Sequence, residues 1–244
     1  MKKEIVFGLC LIMAVSFITQ PASATVTFTA PGTSAKGVDV EFEAQLTIVG
    51  DDLTIELINN SVQSLNPDDL LSSFYFDIVN GGVRPTLTYV SGSGDVWLDD
   101  GTTESLVQAG ADLVATAAFD NTWQFLDFGA EMQPPTTSNV TGGFGLGTVG
   151  NGAVDNSFNG NITGAIDYSI YAPPVDTANL ENVALVRDSA IFTFSGANGY
   201  TEADIVDLYA FGLGTAPDSL LIPEPATLAI LGLGSLFLIR KKQE

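Results

Sequence analysis

Clustered carboxylates are the first side chains in this sequence whose types and spacing could do chemistry. Asp95, Asp99 and Asp100 fall within one short stretch that ends at Gly101. Hard oxygen ligands on glycine-rich turns suit Ca²⁺, and extracellular calcium sites work at millimolar concentrations of the ion. Asp also forms turns without any metal, and EF-hand spacing is absent. We therefore predict a possible calcium site at Asp95, Asp99 and Asp100, with ordinary turns as the alternative.

Two aromatic residues, Trp97 and Trp123, are the candidates for ligand binding. An exposed indole can stack on a sugar ring, whereas filling the core is the commoner use of so large an apolar side chain. The same acidic residues could also supply the two carboxyl groups of a glycoside hydrolase, if two of them converge. A carbohydrate-binding module is thus an alternative function, and a glycoside hydrolase is a more distant one.

Composition excludes several other classes of site. The 244 residues include 8 Lys and Arg, 29 Asp and Glu, one cysteine and no histidine. Without histidine, Ser–His and Cys–His nucleophile pairs and histidine-containing zinc sites cannot form. The net charge of −21 argues against nucleic acid as a partner, because phosphate binding requires a surplus of Lys and Arg. These counts favour a non-enzymatic protein.

The N-terminus has the three parts of a secretory signal peptide. Lys2 and Lys3 precede the apolar run Ile5–Ile18, and Ala22-Ser23-Ala24 follows it. A positive start, a short apolar run and an A-x-A site are typical of such peptides, so we expect signal peptidase to cleave after Ala24. Residues 1–24 then leave the protein and take Cys10 with them, so no disulfide can form within the mature chain.

A second apolar run ends the chain. It spans Ala226–Ile239, which as a helix would measure roughly 21 Å, shorter than the roughly 30 Å hydrocarbon core of a bilayer. A rigid, extended motif precedes it and a basic end that should stay cytoplasmic follows it. The motif is Pro223, Glu224 and Pro225, and the basic end is Arg240, Lys241 and Lys242.

This tail, residues 220–244, closely resembles the PEP-CTERM sorting domain of Gram-negative bacteria. The resemblance implies that exosortase, a membrane-embedded cysteine peptidase, acts at or near the Pro-Glu-Pro motif. It also implies an exported protein that is held transiently at the inner membrane by its C-terminal hydrophobic helix, and then reaches the cell surface or extracellular matrix. The resemblance further implies that the protein occurs together with exopolysaccharide, and hence in a biofilm.

Residues 25–219 are predicted to form an all-β body, an antiparallel β-sandwich of jelly-roll-like type. Apolar and polar residues alternate in short runs between turn formers, which is typical of half-buried strands. The predicted strands are Thr25–Thr29, Val38–Val49, Leu53–Ile58, Ser73–Val79, Thr86–Val90, Trp123–Phe128, Ala165–Tyr171, Ala190–Phe194 and Ile205–Phe211. Residues 104–119, rich in Ala, Leu and Val, are predicted to hold one short helix.

Glycine-rich and hydrophobic segments of the body allow two further interpretations. Gly145–Gly150 fits the G-x-G-x-x-G spelling, but no helix start follows, so we interpret residues 141–164 as a flexible surface loop. Four hydrophobic segments resemble exosortase-dependent surface proteins: Phe74–Ile78, Asp167–Ile170, Asn182–Phe194 and Ala203–Gly214. Together with the tail, they favour an exported, acidic surface or matrix protein, with an extracellular polysaccharide as a possible partner.

The charge is divided between the ends and the body. Five of the eight basic residues lie beside the two apolar runs, which leaves Lys36, Arg84 and Arg187 between Thr25 and Ile222. Of the 29 acidic residues, all but Glu4, Glu224 and Glu244 lie in the same stretch, so it holds 26 acids against 3 bases and a net charge of −23. The mature body is therefore more acidic than the whole chain.

Overall fold

A computed structural model describes residues 24–100, 103–113, 123–136, 139–148, 166–174, 180–181, 183–214 and 220–222. Within these ranges the chain forms twelve strands and two 3-10 helices. The strands are β1 Thr25–Thr33, β2 Asp39–Val49, β3 Asp52–Asn59, β4 Leu71–Phe76, β5 Thr88–Asp99, β6 Glu104–Asp112, β7 Gln124–Asp127, β8 Phe144–Gly147, β9 Ile170–Tyr171, β10 Ala184–Ser195, β11 Ala210–Leu213 and β12 Leu220–Leu221. The 3-10 helices are Pro67–Asp69 and Glu202–Asp204.

Hydrogen bonds join the described strands into one large sheet. Its main path follows the order β1-β2-β3-β10-β9-β4-β11-β12. Strands β5 and β6 branch from β10, and β8 and β7 branch from β4. Because β9 pairs with β10 in parallel, over Val186 and Ile170, while the other described pairs are antiparallel, the sheet is mixed. The prediction of a β-rich body is confirmed.

The first three strands follow directly from their sequence pattern. In β2, Phe42, Ala44, Leu46 and Ile48 are buried, while the residues between them are half-buried. This is the period-two pattern of a strand with one face on the core. The turn Gly50–Asp51 connects β2 to β3, where Val49 lies opposite Asp52. The predicted hairpin over residues 38–58 is confirmed.

Strand β4 lies between two apolar clusters, which explains its continuous apolar run. All six of its residues are buried. Phe74 and Phe76 belong to the main core, where their rings stack with centroids 5.5 Å apart. Tyr75 belongs to a second cluster on the opposite face, together with Met132, Val140, Ala210 and Leu220. A strand buried on both faces needs no alternating polar residues.

Aromatic contacts connect the two parts of the sheet across the main core. Phe42 of β2 faces Phe211 of β11 at 6.0 Å between ring centroids, and Phe194 of β10 faces Phe125 of β7 at 4.5 Å. Such pairs combine a large buried apolar area with a defined geometry. Because residues 25–222 contain no cysteine, no disulfide can form within them, and this core is the main source of their stability.

Two predictions for the middle of the chain are wrong where the structure describes it. Residues 104–112 form strand β6 rather than a helix, because antiparallel pairing with β5 fixes them although residues 105–110 are exposed. Gly145 and Gly147 lie in the buried strand β8 between β4 and β7, so residues 144–147 are not a surface loop. Parts of both predictions, 114–119 and 149–164, fall outside the described residues.

Candidate functional site

Trp97 of strand β5 is partly exposed, and it packs against the buried cluster that contains Tyr171, Leu180 and Leu185. Register places Trp97 opposite Leu185 of β10 and Leu106 of β6. The Arg187 guanidinium carbon lies over the ring at 4.6 Å from its centroid. A guanidinium at this distance is attracted by the negative face of the indole. The contact holds the ring in one orientation at the surface of the sheet.

Glu104 connects the two residues beside this ring. Its Oε2 accepts a hydrogen bond from the Tyr171 hydroxyl at 3.3 Å and lies 3.5 Å from Arg187 Nη1. Burial, and next the negative charge of Glu104, raise the pKa of Tyr171 above its usual 10.0, while Arg187 lowers it. The phenol therefore remains protonated at neutral pH and donates to the carboxylate.

A small pocket lies next to Trp97 and these groups. Its lining comprises Trp97, Asp99, Glu104, Tyr171, Leu180, Val183 and Leu185. The cavity volume is about 10 Å³, which is room for about one water molecule. A sugar ring is too large for this pocket, and the Arg187 guanidinium already covers one face of the Trp97 ring, so a sugar could contact Trp97 only at the accessible part of the residue, near the Glu104 and Arg187 head groups.

The three predicted calcium ligands lie at different places along β5 and the turn after it. Asp95 Oδ1 accepts a hydrogen bond from Gly110 N at 2.9 Å, and Asp100 Oδ1 accepts one from Thr103 N at 2.9 Å. Asp99 is buried at the end of the strand, and three residues of strand separate it from Asp95, so that four steps of extended backbone span roughly 13 Å. No group of three acidic or thiol side chains suited to a metal occurs in the described parts of the chain. The calcium site stays a prediction.

Trp123 has the opposite environment from Trp97. It is 0% exposed, its ring centroid lies 4.9 Å from that of Phe192, and its Nε1 donates to the Tyr168 carbonyl at 2.8 Å. A fully buried ring offers no surface to a sugar. Of the two predicted stacking residues, the structure leaves Trp97 in a position to contact a ligand.

Sequence reasoning missed the partners of Trp97. Arg187, Glu104 and Tyr171 lie 90, 7 and 74 residues away along the chain, and the register of three strand pairs brings them together. The scarcity of cations was the one available indication, since Arg187 is one of three basic residues between Thr25 and Ile222.

The predicted processing sites border the sheet at both ends of the described chain. Ala24 is exposed, and the next residue, Thr25, is the first of β1. At the other end β12 covers Leu220–Leu221, and Ile222 is the last residue described. The remaining predicted residues lie outside the described ranges: Ala22, Pro223, Glu224, Pro225, Arg240, Lys241 and Lys242.

The predicted C-terminal hydrophobic helix at 226–239 also lies outside those ranges. In the part of the chain that the structure describes, no helix combines the length and the apolar character needed to cross a bilayer.

Comparison with known proteins places the clearest similarity at the C-terminus. No curated protein matches the chain. Among solved structures, it is similar to the KRT10-binding region domain of the pneumococcal serine-rich repeat protein PsrP, with 15% identity, a TM-score of 0.25, and coverage of 78% of this chain and 85% of that one. Similarity at that level supports no functional argument. Residues 221–243 match the PEP-CTERM protein-sorting motif, so the chain carries this motif, which implies an exported, surface-sorted protein that is processed by exosortase.

Proposed function

We propose that this protein is a non-enzymatic, acidic component of the cell surface or extracellular matrix of a Gram-negative bacterium, associated with exopolysaccharide or biofilm. The observation that carries the proposal is the sorting motif at residues 221–243, attached directly to a β-rich body. The absence of histidine from the 244 residues supports a binding or structural role over acid–base catalysis.

The proposed route begins with signal peptidase cleavage after Ala24. The apolar run 226–239 then holds the precursor at the inner membrane, with Arg240, Lys241 and Lys242 on the cytoplasmic side. Exosortase acts at or near Pro223, Glu224 and Pro225 and passes the body to the surface or the matrix. The mass of the mature C-terminus in the native host tests this route, and a surface protein that still ends in Glu244 would refute it.

For the architecture of the body, we propose a jelly-roll-like sandwich in which the single sheet closes over its own core. The support is the set of aromatic pairs that join β2 to β11 and β10 to β7 across that core. Such a body presents a rigid outer face whose strands alternate buried apolar residues with exposed polar ones.

The negative charge suggests how the body associates with matrix polymers. A net charge of −23 between Thr25 and Ile222 repels anionic polysaccharide unless divalent cations bridge the two. Asp95, Asp99 and Asp100 are the first candidates for calcium ligands. Retention of the protein on purified matrix polysaccharide should fall when a chelator removes Ca²⁺ and return when Ca²⁺ is restored. Equal retention in both conditions would eliminate cation bridging.

A carbohydrate-binding module is the second candidate, and the partly exposed Trp97 favours it. Glu104 and Arg187 place a carboxylate and a guanidinium beside the ring, as hydrogen-bonding partners for sugar hydroxyls. Titration with a panel of matrix glycans should change the Trp97 fluorescence if a sugar stacks on the indole. No change across the panel would reject this candidate.

A further inference from the structure

The last strand of the sheet packs into the body through both of its side chains. In β12, Leu220 lies opposite Gly212 and Leu221 lies opposite Phe211 of β11. Leu220 is buried in the cluster that contains Tyr75 and Ala210. Leu221 lies against Gly32 of β1, so close that a methyl group on Gly32 would collide with Leu221 Cδ2. The absence of a side chain at Gly32 thus provides the space that Leu221 fills.

The sorting motif and this strand share residues. The match to the motif begins at Leu221, which is the second residue of β12. The Pro-Glu-Pro peptide starts at Pro223, and the apolar run starts at Ala226. The three residues between Ile222 and Ala226 span roughly 10 Å even when fully extended. The peptide that exosortase acts on is therefore attached to the folded sheet with almost no spacer.

A peptidase that binds an extended substrate reads the backbone by hydrogen bonds and the side chains by pockets. Leu220 and Leu221 cannot occupy such pockets while they fill the apolar cluster and the space at Gly32. The docking of β12 is nevertheless weak, because β12 pairs over only two residues and lies at the end of the main path of the described sheet. Short terminal elements open locally at a small fraction of the free energy of global unfolding.

We propose that β12 is a releasable strand that controls sorting, so that exosortase acts on the state in which Leu220–Ile222 has separated from β11. When these residues are paired with β11, they complete the sheet of the body. When they are released from β11, they form the upstream half of the peptide that the enzyme binds. Release of β12 limits the processing rate, and once the tail is removed the freed residues return to β11. This inference rests on the exosortase processing that the motif implies.

Four full-length variants test the proposal in a Gram-negative host that produces an exosortase. The first is Gly32→Ala, which weakens the docking of β12 because the added methyl group collides with Leu221 Cδ2, and which leaves the peptide that the enzyme binds unchanged. The second keeps β12 and inserts after Ile222 an eight-residue Gly/Ser linker and a second Leu-Leu-Ile, so that an undocked copy precedes Pro223. The third, Ile55→Val, is the matched control, because it removes one methylene from the core at a buried site in β3. Glu224→Ala tests the motif itself.

Pulse-chase labelling with the C-terminal mass as readout measures the processing rate, and urea midpoints confirm that all variants fold. We expect Gly32→Ala and the insertion to be processed roughly fivefold faster or more than the wild type. Ile55→Val should match the wild type, and Glu224→Ala should block processing. If Glu224→Ala blocks processing but the first two variants follow the wild-type rate, the releasable strand is refuted while sorting stands. Equal acceleration by Ile55→Val would assign control to global unfolding. An unprocessed wild type would refute both sorting and this inference.

Discussion

Arg84 Nε donates a hydrogen bond to Asp77 Oδ1 at 2.7 Å, in a site where the Asp77 side chain is only 1% exposed. The second carboxylate oxygen of Asp77 accepts a hydrogen bond from Met132 N at 2.8 Å. The same guanidinium reaches Asp127 Oδ1 through Nη1 at 2.6 Å and lies 4.0 Å from the centroid of the Phe144 ring. Arg84 thus connects the end of β4 with β7 and β8, and its partner Asp77 adds the segment at Met132.

Arg84→Met should destabilise the body by about 3–5 kcal/mol, because it leaves the buried Asp77 carboxylate without its counter-charge. Arg187→Met is the matched control. The side chains of Arg187 and Glu104 are 31% and 21% exposed and their atoms lie 3.5 Å apart, so we expect its loss to change stability by no more than about 1 kcal/mol. Urea midpoints at neutral pH measure both values. Equal losses for the two variants would contradict the role assigned to the Asp77–Arg84 pair.

Alkaline pH should destabilise the body through its buried tyrosines. Burial raises the pKa of Tyr75 above the ordinary 10.0, although a hydrogen bond with Ser73 lowers it slightly. Above pH 10 the unfolded chain releases the phenol proton while the folded chain keeps it. The stabilisation is therefore complete below pH 10 and declines as pH rises, by about 1.4 kcal/mol per pH unit for each such tyrosine.

Tyr75→Phe removes one of these groups without altering the ring. The free energy of unfolding of this variant should fall less steeply than that of the wild type between pH 10 and pH 11. Urea titrations at closely spaced pH values give both slopes. Parallel slopes would show that the Tyr75 hydroxyl does not contribute to the alkaline transition.

Two glycines after β10 differ in what surrounds them although both have positive φ. Gly196 has φ 102°, and an added methyl group would collide with the Thr86 carbonyl oxygen. Gly199 has φ 88° and open space around the position of a Cβ. Gly199→Ala should therefore cost about 1 kcal/mol from backbone strain alone, whereas Gly196→Ala should cost clearly more. Thermal unfolding of the two variants measures the difference, and similar midpoints would contradict the predicted collision.

The sequence predicts the hairpin of β2 and β3 well, because its alternation arises from one buried face and depends on no distant partner. It fails at β6, where Leu106 and Val107 are exposed and the strand forms through pairing with β5. The strand predicted from the sequence also ends at Val90, earlier than β5, because Gly92 and Gly94 are residues that commonly interrupt strands. In the structure Gly92 lies against Phe192, and Gly94 against Val186. Local pattern contains no information on such contacts between distant residues.

The candidate site shows the same division. Trp97 and Trp123 are equivalent by composition, and only the tertiary structure separates a partly exposed residue beside Arg187 from a ring buried against Phe192. The C-terminal sorting motif, in contrast, can be recognised from the sequence because its parts are contiguous. The overlap of this motif with β12 cannot be predicted from the sequence, since the pairing of Leu221 with Phe211 depends on the fold.

The different environments of the two tryptophans give a direct test of sugar binding. Trp97→Ala should abolish a fluorescence response to matrix glycan and destabilise the body by about 1–3 kcal/mol, less than the loss of a fully buried Trp, because Trp97 is partly exposed. Trp123→Phe should keep the response, because Trp123 is 0% exposed and contacts the core and the Tyr168 carbonyl. It should nevertheless lower the free energy of unfolding by about 1–3 kcal/mol, through the smaller ring and the loss of the hydrogen bond to the Tyr168 carbonyl. Glycan titrations followed by fluorescence, with urea midpoints for each variant, separate the two effects. A response that survives in Trp97→Ala and disappears in Trp123→Phe would overturn the assignment of Trp97 as the ligand-facing residue.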